Sequence, residues 1–282
     1  MRKISVVFVL AICSLWLTAG PAWAQSSGNF TYNSQGASLN CTLNSNGSIT
    51  GGVTCSSGTC ATDSDCSAVG GTCMIPSGQT LGTCVTSCTK DSDCMQGQTC
   101  TGGVCGGGCI GSFTAGIKTN SGSGNVFDIR PSAVIGLLTD VSINKTTQSS
   151  SALAGVDFQV NVTGSGVPNP TLAPVATQWV TYDSRYIQIS SNLFNALTAS
   201  CVTTSTTAGA GCFFTFNEST VSAHSFDWIA SNLQSATYTV TANWKASLGN
   251  TGISQALTCV GPVNLTVEQN KVFNFNTVNA AQ

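Results

Sequence analysis

Apolar and polar residues alternate along several stretches in the second half of the chain. Residues 156–163 read VDFQVNVT, residues 236–245 read ATYTVTANWK, and residues 263–268 read VNLTVE. Because successive side chains of a strand point to opposite faces of a sheet, this two-residue period predicts strands with one apolar face and one polar face. The polar faces carry mainly Thr and Asn, which is typical of half-buried antiparallel strands.

Further strand-like runs lie at residues 133–138, 185–189, 212–216 and 224–230. Turn residues separate some of these runs, as at Gly164-Ser165-Gly166, Pro168-Asn169-Pro170 and Gly249-Asn250. A helix is predicted over residues 191–200 alone, and it is short. Many strands without interleaved helices predict an all-β fold, a β-sandwich or jelly roll, over residues 110–282.

The segment before the main cysteine block, residues 25–54, also has strand character. Phe30 and Tyr32 alternate with polar residues, and Asn46-Gly47 is a hairpin signal. We therefore expect this segment to be part of the sandwich, with a small disulfide-rich region inserted at residues 55–109.

The first 24 residues have the three parts of an export signal. Arg2 and Lys3 supply the positive charge, residues 4–17 are almost continuously apolar, and Ala22-Trp23-Ala24 is a small-residue cleavage site. The sequence therefore predicts a signal peptide over residues 1–24 and a secreted or cell-surface location, with retention in a periplasm left open.

Composition removes several classes of partner. The 282 residues include 9 Lys and Arg against 11 Asp and Glu, so that only 7% are charged and the net charge is −2. Nucleic-acid binding needs a basic surface that this chain does not supply. After the leader, no apolar run reaches the roughly 18 residues of a spanning helix, so no membrane insertion is expected.

Cysteine is the most informative residue type. Of 15 cysteines, Cys13 lies in the leader, which leaves fourteen, an even number that predicts disulfides in an exported chain. Zinc is disfavoured because His224 is the only histidine. One hypothesis pairs Cys41 with Cys259 and Cys201 with Cys212. The fourteen predicted disulfide cysteines are Cys41, Cys55, Cys60, Cys66, Cys73, Cys84, Cys88, Cys94, Cys100, Cys105, Cys109, Cys201, Cys212 and Cys259.

The cysteine block contains an internal repeat. One copy runs from Cys60 to Cys84 and the next from Cys88 to Cys105, and both begin with C-x5-C and share the string Asp-Ser-Asp-Cys. Units of this size with so few apolar residues bury too little surface to offset chain entropy, so the disulfides must stabilise them. Four cysteines per copy allow three connectivities, and the sequence does not choose among them.

The repeat pattern C-x2-D-S-D-C-x-x-G-x-x-C-x-x-G-x-C resembles the short repeats of EB-module and Dickkopf-like type and the tandem repeats of secreted bacterial proteins. The resemblance covers Cys60 to Cys109, and copy one departs from it in a longer loop between Cys73 and Cys84. It implies an extracellular interaction or spacer module. The strings IRPSAVIGLLTDVSI, VTYDSRYIQIS and AHSFDWI are similar to segments of uncharacterised secreted bacterial β-domain proteins, which implies an all-β secreted domain and no particular activity.

The densest group of polar and aromatic residues is Tyr182, Asp183, Arg185 and Tyr186. Aromatic rings beside a cation and an acid suit a sugar or a protein ligand, so these four residues are the candidate binding site. The alternative is that they begin a strand that packs on the sandwich. For Trp228 and Trp244, which lie on strand patterns, packing in the core is expected.

Catalytic chemistry has little support in the sequence. A Ser-His-Asp site would have to use His224, but Asp227 is three residues away and falls on the opposite face of a strand, and no G-x-S-x-G string occurs. A carboxylate pair for glycoside hydrolysis is not singled out by spacing. Its candidate members are Asp157, Asp183, Glu218, Asp227 and Glu268. We therefore expect a protein that is not an enzyme.

The two Asp-Ser-Asp strings, at residues 63–65 and 91–93, have two interpretations. They could bind calcium, although the remaining ligands of an EF-hand loop are missing. Alternatively, the carboxylates hold turns through hydrogen bonds to nearby backbone. No other cofactor is expected.

Together these features predict a secreted or cell-surface, non-enzymatic structural or interaction protein of adhesion-like character. Its partner would be an extracellular protein, a glycan or a second copy of the chain. A carbohydrate-binding domain is the alternative, a secreted hydrolase is a lesser one, and a protease inhibitor built from residues 55–109 is a fourth.

Overall fold

The computed structural model describes residues 29–35, 40–69, 71–75, 77, 79–94, 99–106, 110–119, 124–144, 147, 149–198 and 214–271. In chain order these residues form the strands β1 (Phe30–Gln35), β2 (Thr42–Leu43), β3 (Ile49–Thr50), β4 (Val53–Cys60), β5 (Thr72–Met74), β6 (Gly82–Val85), β7 (Thr99–Thr101), β8 (Val104–Gly106), β9 (Ile110–Lys118), β10 (Asn125–Ile143), β11 (Ser150–Gly164), β12 (Thr171–Ala173), β13 (Val180–Ile189), β14 (Phe214–Ser225), β15 (Trp228–Ser231), β16 (Thr237–Thr251) and β17 (Ile253–Lys271), and the helix α1 (Ser191–Thr198).

Two sheets form the sandwich. The large sheet has the order β12-β15-β10-β17-β4-β6-β5, with β14 beside β10 and β1 beside β17, and the small sheet has the order β13-β11-β16-β9. The inward residues of both sheets form one apolar core, which includes Phe113, Phe127, Phe158, Trp228 and Tyr238. The prediction of an all-β sandwich with a disulfide-rich region is confirmed.

The strands β10 and β17 are the axis of the large sheet. Each is 19 residues long, and they pair along almost their whole length, from Asn125 opposite Lys271 to Ser142 opposite Ile253. Each has two shorter strands placed end to end on its other side, β15 and β14 beside β10, and β1 and β4 beside β17. The sequence predicted only short pieces of these two strands.

The local predictions are largely confirmed. The three alternating stretches lie in β11, β16 and β17, and α1 is the predicted short helix. The predicted turn at Gly249-Asn250 is wrong, because both residues lie inside β16. The turn comes at Gly252, which has φ +67° and whose Cβ would lie 2.4 Å from the Ser149 carbonyl oxygen, so only glycine fits there.

The segment that precedes the cysteine block contacts the sandwich at several points. β1 runs antiparallel to β17, with Phe30 opposite Glu268, and β2 and β3 form a hairpin around Asn46-Gly47. A disulfide links Cys41 to Cys259, one of the pairings that the sequence permits. This bond spans a sequence separation of 218 residues and ties the hairpin to the large sheet.

The cysteine-rich region is confirmed, and its two copies have the same connectivity. The first cysteine of each copy bonds the third, and the second bonds the fourth. The bonds are Cys60–Cys73 and Cys66–Cys84 in copy one, and Cys88–Cys100 and Cys94–Cys105 in copy two. Cys55 is also disulfide-bonded. This density of disulfides suggests an oxidising, extracellular environment. The predicted leader and the cysteines Cys109, Cys201 and Cys212 lie outside the described residues.

The two copies differ in their attachment to the sandwich. Copy one adds β6 and β5 to the large sheet beside β4, and it covers part of the outer face of that sheet. A second apolar cluster lies there, built from Cys41, Ile49, Cys60, Cys66, Leu138, Leu257 and Cys259. Copy two forms its own two-stranded sheet, β7 with β8.

Among the described residues, no helix has the length and the apolar character needed to cross a membrane.

Candidate functional site

A group of polar side chains closes one edge of the sandwich, where the edge strand β13 of the small sheet approaches β14 of the large sheet. We call this group the inter-sheet polar cluster. Its members are Asp183 and Arg185 on β13, and Glu218, Thr220, Ser222 and His224 on β14.

A β-bulge in β13 determines which of its side chains point towards the large sheet. The register with β11 shifts between Val156 and Asp157, so that Asp183 pairs with the first and Thr181 with the second, and Tyr182 is the extra residue between them. A bulge of this kind breaks the two-residue period. Tyr182 and Asp183 therefore both point towards the large sheet, which the sequence pattern alone did not predict.

Arg185 joins the two sheets within this cluster. Its guanidinium donates to the Thr220 hydroxyl at 2.6 Å and to the Leu137 carbonyl oxygen at 3.4 Å. Its Nε lies 3.6 Å from the Glu218 carboxylate. The Arg185 side chain is only 15% exposed, so its hydrogen bonds satisfy a largely buried charge.

His224 forms a compact triangle with a serine and an aspartate. Its Nε2 lies 2.6 Å from the Ser222 hydroxyl and 3.3 Å from the Asp183 carboxylate, and that hydroxyl also donates to Asp183 at 3.3 Å. In a Ser-His-Asp triad, the serine and the aspartate contact opposite ring nitrogens. Here both contact the same nitrogen, so the arrangement differs from that of a triad.

Asp227 lies apart from this cluster and pairs with Arg130. The Arg130 guanidinium donates through Nε and Nη2 to the two carboxylate oxygens, the second at 3.0 Å. The hydrogen bond from Arg130 holds the pKa of Asp227 below its usual value. Asp227 therefore makes a surface ion pair and does not orient His224.

The four residues of the predicted binding site do not share one surface. The Tyr182 ring stacks on Phe158 at 4.1 Å, its hydroxyl donates to the Pro131 carbonyl oxygen at 2.8 Å, and burial raises its pKa. Tyr186 points outward and is 60% exposed. Tyr182 therefore belongs to the core, and Tyr186 is the exposed aromatic ring of the four.

Both tryptophans on the strand patterns, Trp228 and Trp244, are buried in the core, as predicted. The carboxylate candidate Asp157 is held by hydroxyl groups, since Thr181 and Ser247 each donate to it at 2.7 Å. Lys245 lies 4.0 Å from it and 4.4 Å from the Trp179 ring centre. These contacts give Asp157 a structural role in the small sheet.

The first aspartate of each Asp-Ser-Asp string accepts a backbone hydrogen bond from the third cysteine of its copy. The Cys73 amide donates to Asp63 at 2.7 Å, and the Cys100 amide donates to Asp91 at 2.8 Å. These bonds support a turn-holding role for both strings.

The second aspartate of each string accepts from the amides that begin a 3₁₀ turn. Asp65 accepts from Ala61 and Thr62 at 2.7 and 2.8 Å, and Asp93 accepts from the Thr89 amide at 2.9 Å and the Thr89 hydroxyl at 2.7 Å. The hydrogen bonds from Thr89 lower the pKa of Asp93.

β14 is the feature that the sequence missed. It is 12 residues long and, within the described part of the chain, it pairs with β10 alone. The sequence predicted strands at 212–216 and 224–230 and left the polar stretch between them, residues 217–223, unassigned. The only ionisable residues of β14 are Glu218 and His224, and its Phe216 is 51% exposed.

No protein-family model matches the chain, and no curated protein matches it. Among solved structures, it is similar to the VP2 subviral particle of infectious bursal disease virus, with 14% identity over 87% of this chain and 61% of that chain and a TM-score of 0.14. The Gt strain of that virus gives 12% identity over 87% and 61%, with a TM-score of 0.11. The T=1 particles derived from it give 9% identity over 87% and 78%, with a TM-score of 0.10. The chain thus spans 61% of the length of the first two, and TM-scores of this size do not indicate a shared fold.

Proposed function

We propose that the protein is a secreted or cell-surface, non-enzymatic structural protein that associates through the free edge of β14. The observation that carries this proposal is the 12-residue edge strand itself, which is paired on one side within the described part of the chain. A free strand edge offers a row of backbone donors and acceptors that another strand can pair with.

β14 has few of the features by which proteins protect a free edge. Such edges usually carry lysine or proline, or bend away at a bulge. The sequence of β14, FTFNESTVSAHS, has no lysine, arginine or proline, and it pairs with β10 without a register shift. The net charge of −2 over 282 residues adds little repulsion between copies.

The occupant that fits this edge best is β14 of a second copy, in antiparallel orientation. Such a pair is related by a two-fold axis, the commonest symmetry of homo-oligomers, and it would join two large sheets into one continuous sheet. A strand of another extracellular protein would use the same backbone groups.

The proposal includes secretion of the protein and an interaction role for its cysteine repeats. The disulfides, the predicted leader and the resemblance of the repeats to EB-module and Dickkopf-like types all support an extracellular interaction role. The contacts of His224 support a protein that is not an enzyme, since its serine and aspartate share one nitrogen.

Light scattering coupled to size-exclusion chromatography tests the proposal on the mature, oxidised protein. We expect a discrete oligomer that the substitution Phe216→Lys dissociates, because it places a charge on the free edge. Ile229→Lys is the matched control. Ile229 is 40% exposed, but its strand β15 is paired on both sides. This variant should keep the oligomer.

A monomeric parent protein, or an oligomer that Phe216→Lys leaves intact, would contradict association through β14. The carbohydrate-binding alternative would then be examined on a glycan array. Loss of glycan binding in Tyr186→Ala would support that alternative.

A further inference from the structure

A polar cavity of about 280 Å³ lies between the first cysteine repeat and the outer face of the large sheet. The repeat side is the 3₁₀ turn over residues 63–69, and the sheet side comprises β10, β14 and β17. Its oxygen-bearing wall residues include Ser64, Asp65, Asp140, Ser142, Thr215 and Gln255.

The strand register brings two of these groups together. Asp140 on β10 lies directly opposite Gln255 on β17 and, on its other side, opposite Asn217 on β14, which donates a side-chain hydrogen bond to it. Cross-strand partners share a face of the sheet. Asp140 and Gln255 therefore lie side by side on the outer face, two residues from Leu138 and Leu257, which copy one covers.

Two oxygen atoms in this wall are buried without a hydrogen-bond donor among the described residues. Gln255 is only 5% exposed and its Oε1 has no partner, and Oδ1 of Asp140 is in the same state. Buried polar atoms in native proteins are nearly always paired, and an orphan indicates a missing water, ion or ligand. Two orphan acceptors in one cavity call for a ligand that donates hydrogen bonds or carries positive charge.

The charges around the cavity favour a cation. The Asp65 carboxylate of copy one lies near that of Asp140, so two acidic side chains line the same cavity. No lysine, arginine or histidine is among the residues that line the cavity. Asp65 uses Oδ2 for the Ala61 and Thr62 amides, which leaves Oδ1 as its second oxygen.

We propose that this cavity binds a calcium ion through the side-chain oxygens of Asp65, Asp140 and Gln255, with hydroxyl groups of the wall and water as the remaining ligands. Calcium takes six to eight oxygen ligands in flexible geometry, whereas magnesium demands a compact octahedron. An irregular, roomy site with two carboxylates and an amide oxygen fits calcium better. The ion would tie copy one to the sandwich.

Calorimetric titration of the EDTA-treated, oxidised protein with CaCl₂ tests the proposal. We expect one site with a Kd of about 10⁻⁴–10⁻³ M, as in extracellular calcium modules, and weaker binding of MgCl₂. Asp140→Asn should lower the calcium affinity at least tenfold. In EDTA this variant should melt no lower than the parent protein, since it removes a buried charge without changing shape.

Asp93→Asn is the matched control. Asp93 holds the same turn in copy two as Asp65 does in copy one, and it is exposed, so its loss should leave the calcium titration unchanged. Gln255→Glu gives the opposite test, because a third carboxylate should tighten calcium binding while lowering the melting temperature in EDTA. Absence of calcium binding in the parent protein, undiminished binding in Asp140→Asn, or tighter binding of magnesium would each overturn the proposal.

Discussion

Removal of the Cys41–Cys259 disulfide should destabilise the sandwich more than removal of any disulfide within the repeats. The bond links the β2–β3 hairpin to the centre of β17 across 218 residues of sequence, and both cysteines are buried. The double substitution Cys41→Ala/Cys259→Ala is the perturbation of choice, because serine would bury two hydroxyl groups at the same place.

The magnitude follows from the length of the closed loop. In the chain-entropy treatment, a disulfide stabilises the folded state by restricting the unfolded chain, and a loop of 218 residues corresponds to about 5 kcal/mol. The other disulfides lie inside this loop and shorten the chain that connects Cys41 to Cys259. Because the stabilisation depends on the logarithm of the loop length, it falls by only roughly a few tenths of a kcal/mol. The 11-residue separation of Cys94–Cys105 corresponds to about 3 kcal/mol, acting on copy two alone.

Urea unfolding of the oxidised variants, followed by tryptophan fluorescence, measures the effect. Trp228 and Trp244 are buried in the sandwich core, so they report its unfolding. The Cys41→Ala/Cys259→Ala variant should lose about 5 kcal/mol of unfolding free energy. The Cys94→Ala/Cys105→Ala variant should leave this transition unchanged, because among the described strands β7 and β8 pair only with each other. Equal losses in the two variants would refute the reasoning.

Three further predictions follow from single contacts. Gly111→Ala should cost about 1–3 kcal/mol in urea unfolding, since Gly111 is buried on β9 and its Cβ would overlap the Trp244 indole. Tyr182→Phe should cost about 1–2 kcal/mol by the same assay, because it loses only the hydroxyl, with its hydrogen bonds to the backbone of Pro131 and Phe226. Complete unfolding of Tyr182→Phe would contradict the reasoning that this substitution removes only a hydroxyl group. Asp227 has a lowered pKa, so its pairing with Arg130 stabilises the protein above pH 3.8, its unfolded value, and this contribution disappears as pH falls through the folded pKa. Acid titrations monitored by circular dichroism should therefore show a shallower loss of stability in Arg130→Ala than in the parent protein, and parallel curves would contradict the pairing.

The alternation of the sequence predicts β11 and β16 well, because each has one face in the apolar core and one face in contact with water. It predicts β10 and β17 poorly. In the part of β10 from Leu137 to Leu138, both faces are buried, one by the sandwich and the other by copy one. A strand buried on both faces loses its alternation, so the pattern marks it as a short apolar run.

The candidate sites depend on register, which composition and local pattern do not encode. Asp183 meets His224 only because a bulge turns β13 by one residue and because β14 follows β10 on the large sheet. Asp140 and Gln255 are 115 positions apart in sequence and become neighbours through the β10–β17 pairing. Pairing of long strands is a property of the whole sandwich, and no short window of sequence contains it.

The two cysteine repeats show how one motif can take two roles. Each copy has the same two disulfides and the same aspartate hydrogen bonds, so each is stabilised from within and its outer surface is free to vary. In copy one, β6 pairs with β4, and Asp65 lies near Asp140 in the wall of the cavity. In copy two, the corresponding Asp93 is exposed. The difference lies in the neighbouring strand and not in the repeat, which is why calcium binding is proposed for one Asp-Ser-Asp string and not for the other.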